Sequence, residues 1–277
     1  NEKQAIIIGA GFAGLAAGIY GQMNGYKTTI FEMHDKPGGL CTSWKRKGYT
    51  VDGCIHWLVG SNPDSAMHDY WEEVGLIQGR ECIYMDSYMH YECPDGRVIT
   101  FHRDIDRLEK HLIEFSPQDE AHIRRFINGI KLSIPFNQPS KNVSFPERVY
   151  KQLKLYSTFV TKGKQMQYWM KVTGKEFADG FKDPDLRNAF SEMWIPEFSI
   201  LFMFFTFAYL SAKNAGYPLG GSMPMSKALE ERYKALGGTI VYNSRVARII
   251  TENNKASGIV LGDGKEYRSD IVISAAD

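Results

Sequence analysis

The segment from Ala5 to Glu32, AIIIGAGFAGLAAGIYGQMNGYKTTIFE, constrains the fold of this chain more than any other. Ile6, Ile7 and Ile8 form a continuously apolar, β-branched run, the pattern of a strand buried on both faces. It breaks at once into Gly9-Ala10-Gly11-Phe12-Ala13-Gly14. In a strand–turn–helix unit the first such glycine permits the tight turn, the second lets a pyrophosphate approach the backbone, and the third lets the helix pack closely on the strand. Leu15, Ala16, Ile19, Tyr20 and Met23 have the spacing of a helix with one side on a sheet, and Gly25 sits where a left-handed C-cap is expected. A second strand, Lys27 to Phe31, delivers Glu32 23 positions after Gly9. That is near the roughly 20 at which a carboxylate meets ribose hydroxyls. A GxGxxG alone fits a glycine-rich turn equally well; the succession of strand, glycines, helix, strand and acid predicts a dinucleotide-binding α/β unit.

Composition sets outer bounds. With 277 residues, 43% of them apolar and 13% aromatic, the chain can bury a sizeable core in one large or two ordinary domains. A net charge of +1 supplies no overall field for nucleic acid, and Lys45-Arg46-Lys47 suits a solvated turn, so no nucleic-acid partner is expected. The four cysteines, Cys41, Cys54, Cys82 and Cys93, show neither CxxC spacing nor disulfide-scaffold density, which fits a reducing compartment. The sequence enters a core strand almost at once, leaving no room for a signal peptide, so a cytoplasmic location is the expectation. His34, His68, His90, His102, His111 and His122 lack metal-ligand spacing such as HExxH, and no metal is expected.

After Glu32 comes the loop Met33 to Ser43, in which Pro37 and the doublet Gly38-Gly39 set a turn whose amides can face the same phosphates. A short alternating strand, Gly48 to Gly53, leads into Cys54-Ile55-His56-Trp57-Leu58-Val59-Gly60. Here the chain resembles the flavin-dependent phytoene desaturase and carotenoid isomerase family, retinol saturase among its relatives, in which the fingerprint is followed by a GG doublet, a strand and an Asp-Gly-x-x-His-Trp-like stretch, Asp52 to Trp57 here. The resemblance implies an FAD-binding Rossmann-like nucleotide fold of the glutathione-reductase type, α/β, with an inserted, mostly helical substrate domain. It implies FAD contacts from Gly9, Gly11, Phe12, Ala13, Gly14, Glu32, Met33, Gly38, Gly39, Leu40, Cys41 and Thr42. It places His56 and Trp57 near the reactive ring as catalytic candidates, with a structural histidine bonded to a turn as the alternative for His56.

The middle of the chain changes character. Tyr88 to Phe101 is a predicted hairpin around Pro94-Asp95-Gly96, after which helical signals dominate. Ser116, Pro117 and Asp119 suggest an N-cap and first turn, and Asp183 with Pro184 repeats the device. The organisation expected is 1–84 as the first part of the FAD-binding domain, 85–215 as the substrate cap, and 216–277 as the second part. Within the cap, Pro196 to Leu210, PEFSILFMFFTFAYL, is apolar all round and is not expected to face water. It is shorter than the roughly 20 residues of a spanning helix. It suits a buried core helix, a wall for a lipophilic substrate, or a peripheral dip into a bilayer.

Beyond the cap, Gly216 to Pro224 has the composition of a glycine–proline turn, with Ser222 able to cap a helix running to Leu236. Short strands follow, with Asn253-Asn254 and Asp263-Gly264 as hairpin turns. By the resemblance, Val246 meets the adenine through its backbone and Ser274-Ala275-Ala276 returns the chain to the cofactor. Family members continue well past such a segment, so the chain is expected to be the first part of a longer protein. The implied activity is desaturation, saturation or isomerisation of a lipophilic polyene such as a carotenoid; the oligomeric state stays open. Two rivals share the architecture, a flavin amine oxidase-like enzyme and a non-catalytic prenyl-lipid-binding protein.

Overall fold

In this computed structural model, which describes residues 3–276, the chain divides into two compact units. Asn1–His56, Tyr70–Glu81 and Pro218–Asp277 form the first; Trp57–Asp69 and Cys82–Tyr217 form the second.

The first unit is organised on four parallel strands in the order Thr239–Val241, Lys27–Phe31, Gln4–Ile8 and Ile271–Ser274. Ile6 and Ile7 are buried as their β-branched run predicts. Parallel neighbours need a crossover, and the helix Phe12–Met23 supplies it between the Gln4–Ile8 and Lys27–Phe31 strands. A Cβ on Gly14 would lie 2.0 Å from the Gly9 carbonyl oxygen, so only glycine permits this approach of helix to strand. The helix Ser222–Ala235 packs beside Phe12–Met23, and its buried Tyr233 donates its hydroxyl to the Thr28 carbonyl at 2.9 Å. An antiparallel sheet of Val246–Glu252, Lys255–Leu261 and Glu266–Arg268 follows, turning at Asn253-Asn254 as predicted. Its Ile259 and Leu261 close a core with Ile6 and Phe31.

The second unit carries the predicted hairpin, Ser87–Glu92 with Val98–His102, against a set of helices. Its centre is aromatic: the Phe126 ring meets Phe190 at 4.9 Å and Phe207 at 5.6 Å, both edge-on, the arrangement ring quadrupoles favour. The helices Glu120–Ser133 and Leu201–Ser211 approach closely because a Cβ on Gly129 would stand 2.4 Å from the Phe204 ring.

Several local expectations are corrected. Ser116 holds the N-cap position with Pro117 and Asp119 in the first turn, as expected, but its hydroxyl makes no cap bond; it donates instead to the buried Asp119 carboxylate at 2.9 Å, which also accepts the N–H groups of Lys182 and Asp183. Asp183, by contrast, accepts from the N–H groups of Asp185 and Leu186 as predicted. Ala215–Pro218 is not a turn but a strand antiparallel to Leu58–Val59. The Ser61 hydroxyl accepts the Gly216 N–H, and Pro218 ends the strand, where its missing donor is tolerated. The all-apolar segment does meet solvent on one side: the helix Leu201–Ser211 buries Met203, Phe204 and Phe207, while Phe202 is 53% exposed. Among the described residues, no helix is long and apolar enough to cross a membrane.

Candidate functional site

The site grows from the carboxyl end of the Gln4–Ile8 strand. There the Gly9 N–H donates to the Phe31 carbonyl at 2.8 Å, and the helix beginning at Phe12 has no side-chain cap on its first turn. Such an uncapped N-terminus presents several N–H groups and the positive end of the helix dipole to an anion. The Gly38-Gly39 loop lies directly on it. The Gly38 N–H donates to the Ala10 carbonyl at 2.8 Å, and a Cβ on Gly39 would be 3.2 Å from the Gly11 Cα. Both loop glycines hold positive φ, 118° and 57°, so the doublet is dictated by backbone shape as well as by the close approach. The loop closes through the Cys41 N–H to Gly38 and the Thr42 N–H to Leu40, and the Ser226 hydroxyl donates to the Cys41 carbonyl at 2.5 Å.

Glu32 is buried, and both its carboxylate oxygens are engaged: Oε2 accepts the Ala10 N–H at 2.6 Å and Oε1 the His34 N–H at 2.8 Å. Its own N–H donates to Val241, and its carbonyl accepts from Ser244. One residue thus joins the glycine turn, the end of the second strand and the connection that leads to Val246. Each carboxylate oxygen keeps lone-pair capacity for a hydroxyl donor. Val246 packs on the Ile6–Phe31 core. Of the other nucleotide candidates, Phe12 is half-buried, whereas Ala13, Met33 and Leu40 are exposed. Thr42 Oγ1 is buried without a hydrogen-bond partner in the protein.

His56 and Trp57 fall in different units. His56 is exposed at the end of the first. Trp57 belongs to the aromatic cluster of the second, its ring 5.7 Å from Tyr88 and 6.4 Å from Trp194.

Sequence reasoning missed Asp52. Its carboxylate accepts both the N–H and the hydroxyl of Ser222, the latter at 2.7 Å, and also the N–H groups of Cys54 and Ile55. Ser222 is therefore the first helical residue rather than the cap, and a carboxylate from a distant stretch closes the helix end. Burial pushes the Asp52 carboxyl up, but the bonds from Ser222, Cys54 and Ile55 outweigh it and hold the group below its ordinary value. The sequence marked Asp52 only as the first residue of the Asp-Gly-x-x-His-Trp-like stretch, and Ser222 only as a helix cap. Cys41 and Cys54 also meet, sulfur to sulfur at 3.4 Å, and burial, the Cys54 contact and nearby Asp52 push the Cys41 thiol up to about 12. Elsewhere, in the second unit, Cys93, Asp95 and Asp185 cluster, and the Arg97 guanidinium bridges the two carboxylates at 2.6 and 2.9 Å.

The uncapped helix end, the two glycine backbones where a Cβ would intrude, the orphaned Thr42 hydroxyl and the Glu32 carboxylate fit the adenosine and pyrophosphate end of FAD. Fold and site together define a dinucleotide-binding flavoprotein. Residues 12–277 match the family described as flavin containing amine oxidoreductase, and the chain belongs to that family. FAD is its cofactor. Over 99% of its length the chain is 30% identical to a lycopene-forming phytoene desaturase of Paracoccus sp., covering 55% of that protein. It is 25% identical to prolycopene isomerase 1 of an Oncidium hybrid cultivar, covering 100% of this chain and 48% of that one. The chain thus spans about half the length of the curated relatives it matches. The fold is shared with putrescine oxidase bound to putrescine, at a TM-score of 0.60 and 16% identity over 100% of this chain and 58% of that one.

Proposed function

We propose that this chain carries the cofactor-binding and substrate-cap portion of an FAD-dependent desaturase, saturase or isomerase acting on a lipophilic polyene of the carotenoid type. The observation that carries the reading is the pairing, in one chain, of a glycine cradle for FAD with a second unit whose apolar interior is rich in aromatic rings. The relatives named for phytoene and prolycopene support the same substrate class. FAD, when bound, supplies hydride transfer to or from carbon, so the chain's own residues need only bind, orient and exclude water. In this reading the amides of Gly11 to Gly14 hold the pyrophosphate, Glu32 accepts a ribose hydroxyl beside its two amide donors, and the Val246 backbone meets the adenine. The Gly38–Thr42 loop covers the phosphates. His56 moves a proton at a substrate carbon, and Trp57 offers an aromatic face to the substrate. A polyene of this class dissolves in bilayers, so peripheral membrane contact belongs to the proposal; the exposed apolar ridge of the helix Phe145–Lys171 supports it.

The test is chromatography of phytoene or prolycopene after incubation, in liposomes, with the full-length FAD-loaded protein. A product with altered conjugation or double-bond geometry is expected. Oxidation of amines with peroxide release and no change in either polyene would move the assignment to the amine oxidases. Retention of the polyene without turnover under any electron acceptor would make the protein a lipid carrier.

A further inference from the structure

The contact between Cys41 and Cys54 has no role in the function proposed above. The two sulfurs stand 3.4 Å apart, both residues half-buried and neither in a disulfide. Their placement follows from the hairpin between them. Strands Ser43–Arg46 and Tyr49–Asp52 pair antiparallel with Ser43 opposite Asp52 and Arg46 opposite Tyr49. Continuing that register two residues beyond the last pair sets Cys41 opposite Cys54. Directly opposed residues of an antiparallel pair have Cα atoms about 4.5–5.5 Å apart, inside the roughly 4.4–6.8 Å range a disulfide spans. Closing the bond from here takes a side-chain adjustment of little more than about 1 Å, since a disulfide is about 2.05 Å long.

We propose that Cys41 and Cys54 are a reversible dithiol–disulfide site, oxidised by a peroxide, at the open end of the hairpin that follows the cofactor loop. The Cys54 sulfur attacks hydrogen peroxide, the O–O bond breaks, and a Cys54 sulfenic acid and one water result. The Cys41 sulfur then displaces the sulfenic oxygen as hydroxide, which leaves with the Cys41 proton as a second water; two thiols are oxidised and one peroxide is reduced. Burial pushes the Cys41 thiol up, which disfavours it as the first attacker on the peroxide and leaves it the resolving step, with the sulfurs already in contact. The bridge fastens the loop carrying Gly38 and Gly39 to the strand end that carries Asp52. Cys82 and Cys93 lie in the other unit and are not part of the pair.

Trypsin separates the two sulfurs, because Lys45, Arg46 and Lys47 lie between them: Cys41 falls in the peptide 28–45 and Cys54 in 48–80. The protein is exposed to hydrogen peroxide, alkylated under denaturing conditions and mapped by mass spectrometry. Loss of two of the four alkylatable thiols, recovery of a 28–45/48–80 cross-linked pair, and return of both thiols on reduction with dithiothreitol are expected. In Cys54→Ser, Cys41 is expected to stay alkylatable under the same exposure. Recovery of both wild-type peptides fully alkylated, their separate over-oxidation to sulfinic acids, or cross-links to Cys82 or Cys93 instead would overturn the proposal.

Discussion

At the scale of single residues, two carboxylates hold the first unit's separate stretches of chain together. Asp52 reaches from the strand after the glycine doublet to the first turn of Ser222–Ala235, and its bonds lower its folded pKa beneath the ordinary 3.8. A lowered carboxyl contributes stability that is fully present above its unfolded value and is lost as pH falls through the folded one. Asp52→Asn removes the charged cap and is expected to cost about 1 kcal/mol at neutral pH. Urea melts of both proteins at decreasing pH check this: the gap should shrink below the ordinary value of 3.8, whereas a constant gap would mean that Asp52 is not the group titrating. Asp69 and Asp119, also lowered, remain in both proteins and cancel in the comparison. Glu32 makes the second case. A glutamine offers one carbonyl oxygen where Glu32 offers two, so Glu32→Gln leaves the Ala10 or the His34 N–H facing an amide NH₂. A loss of roughly 1–3 kcal/mol is expected even without cofactor, together with weaker FAD binding by fluorescence titration. An unchanged melting temperature would show those two amides to be indifferent to the carboxylate. The spacing from Gly9 made Glu32 a nucleotide-binding candidate. That its carboxylate also serves the protein's own backbone depends on the folded course of Ala10 and His34, which spacing does not contain.

At the scale of elements, the stretch to which the sequence drew attention is not the one with the longest exposed apolar side. Pro196 to Leu210 stands out because its helical stretch carries no charge and only the hydroxyls of Thr206 and Tyr209, and the fold spends most of that helix on the core. Phe145–Lys171 hides the converse. Its apolar residues are diluted by serine, threonine and lysine, and only packing reveals that Met166 and Trp169 face inward while Phe145, Leu153, Tyr156 and Val160 share an exposed side. The helix as a whole carries six basic residues against one acidic residue, Glu147. Apolar ridge and net positive charge together suit the interface of an anionic bilayer. Burying Leu153 and Val160 in acyl chains would contribute about 1.5–3 kcal/mol each. Leu153→Asp with Val160→Asp should therefore weaken co-sedimentation with phosphatidylserine vesicles by at least about tenfold, since 1.4 kcal/mol is tenfold in affinity. Both sites are exposed, so the melting temperature should stay near that of wild type. Equal sedimentation of variant and wild type at low salt would remove this helix from any membrane contact.

At the scale of the whole molecule, the parallel sheet was readable from the Ile6–Ile8 run and the glycine turn, but its strand order was not. Thr239–Val241 lies beside Lys27–Phe31 through bonds such as Glu32 to Val241, between stretches far apart in sequence, and no local pattern announces such a pairing. The consequence is that every nucleotide-binding candidate, from Gly9 through Gly38–Thr42 to Val246, sits in the first unit although the chain leaves that unit twice between them. A ligand stabilises only the states that retain its site, by about 2.7 kcal/mol at a hundredfold excess over Kd. Openings that break the first unit must therefore become rarer when FAD binds, whereas local openings of the second unit that leave the cradle intact need not change. Hydrogen exchange with and without saturating FAD reads this directly. Amides of Gln4–Ile8, Phe12–Met23, the Gly38–Thr42 loop and Val246–Glu252 should slow by up to about a hundredfold, and those of Glu120–Ser133 and Leu201–Ser211 should exchange as before. Equal slowing in both sets would mean that the two units open as one, and slowing confined to the helices would place the cofactor somewhere other than the glycine cradle.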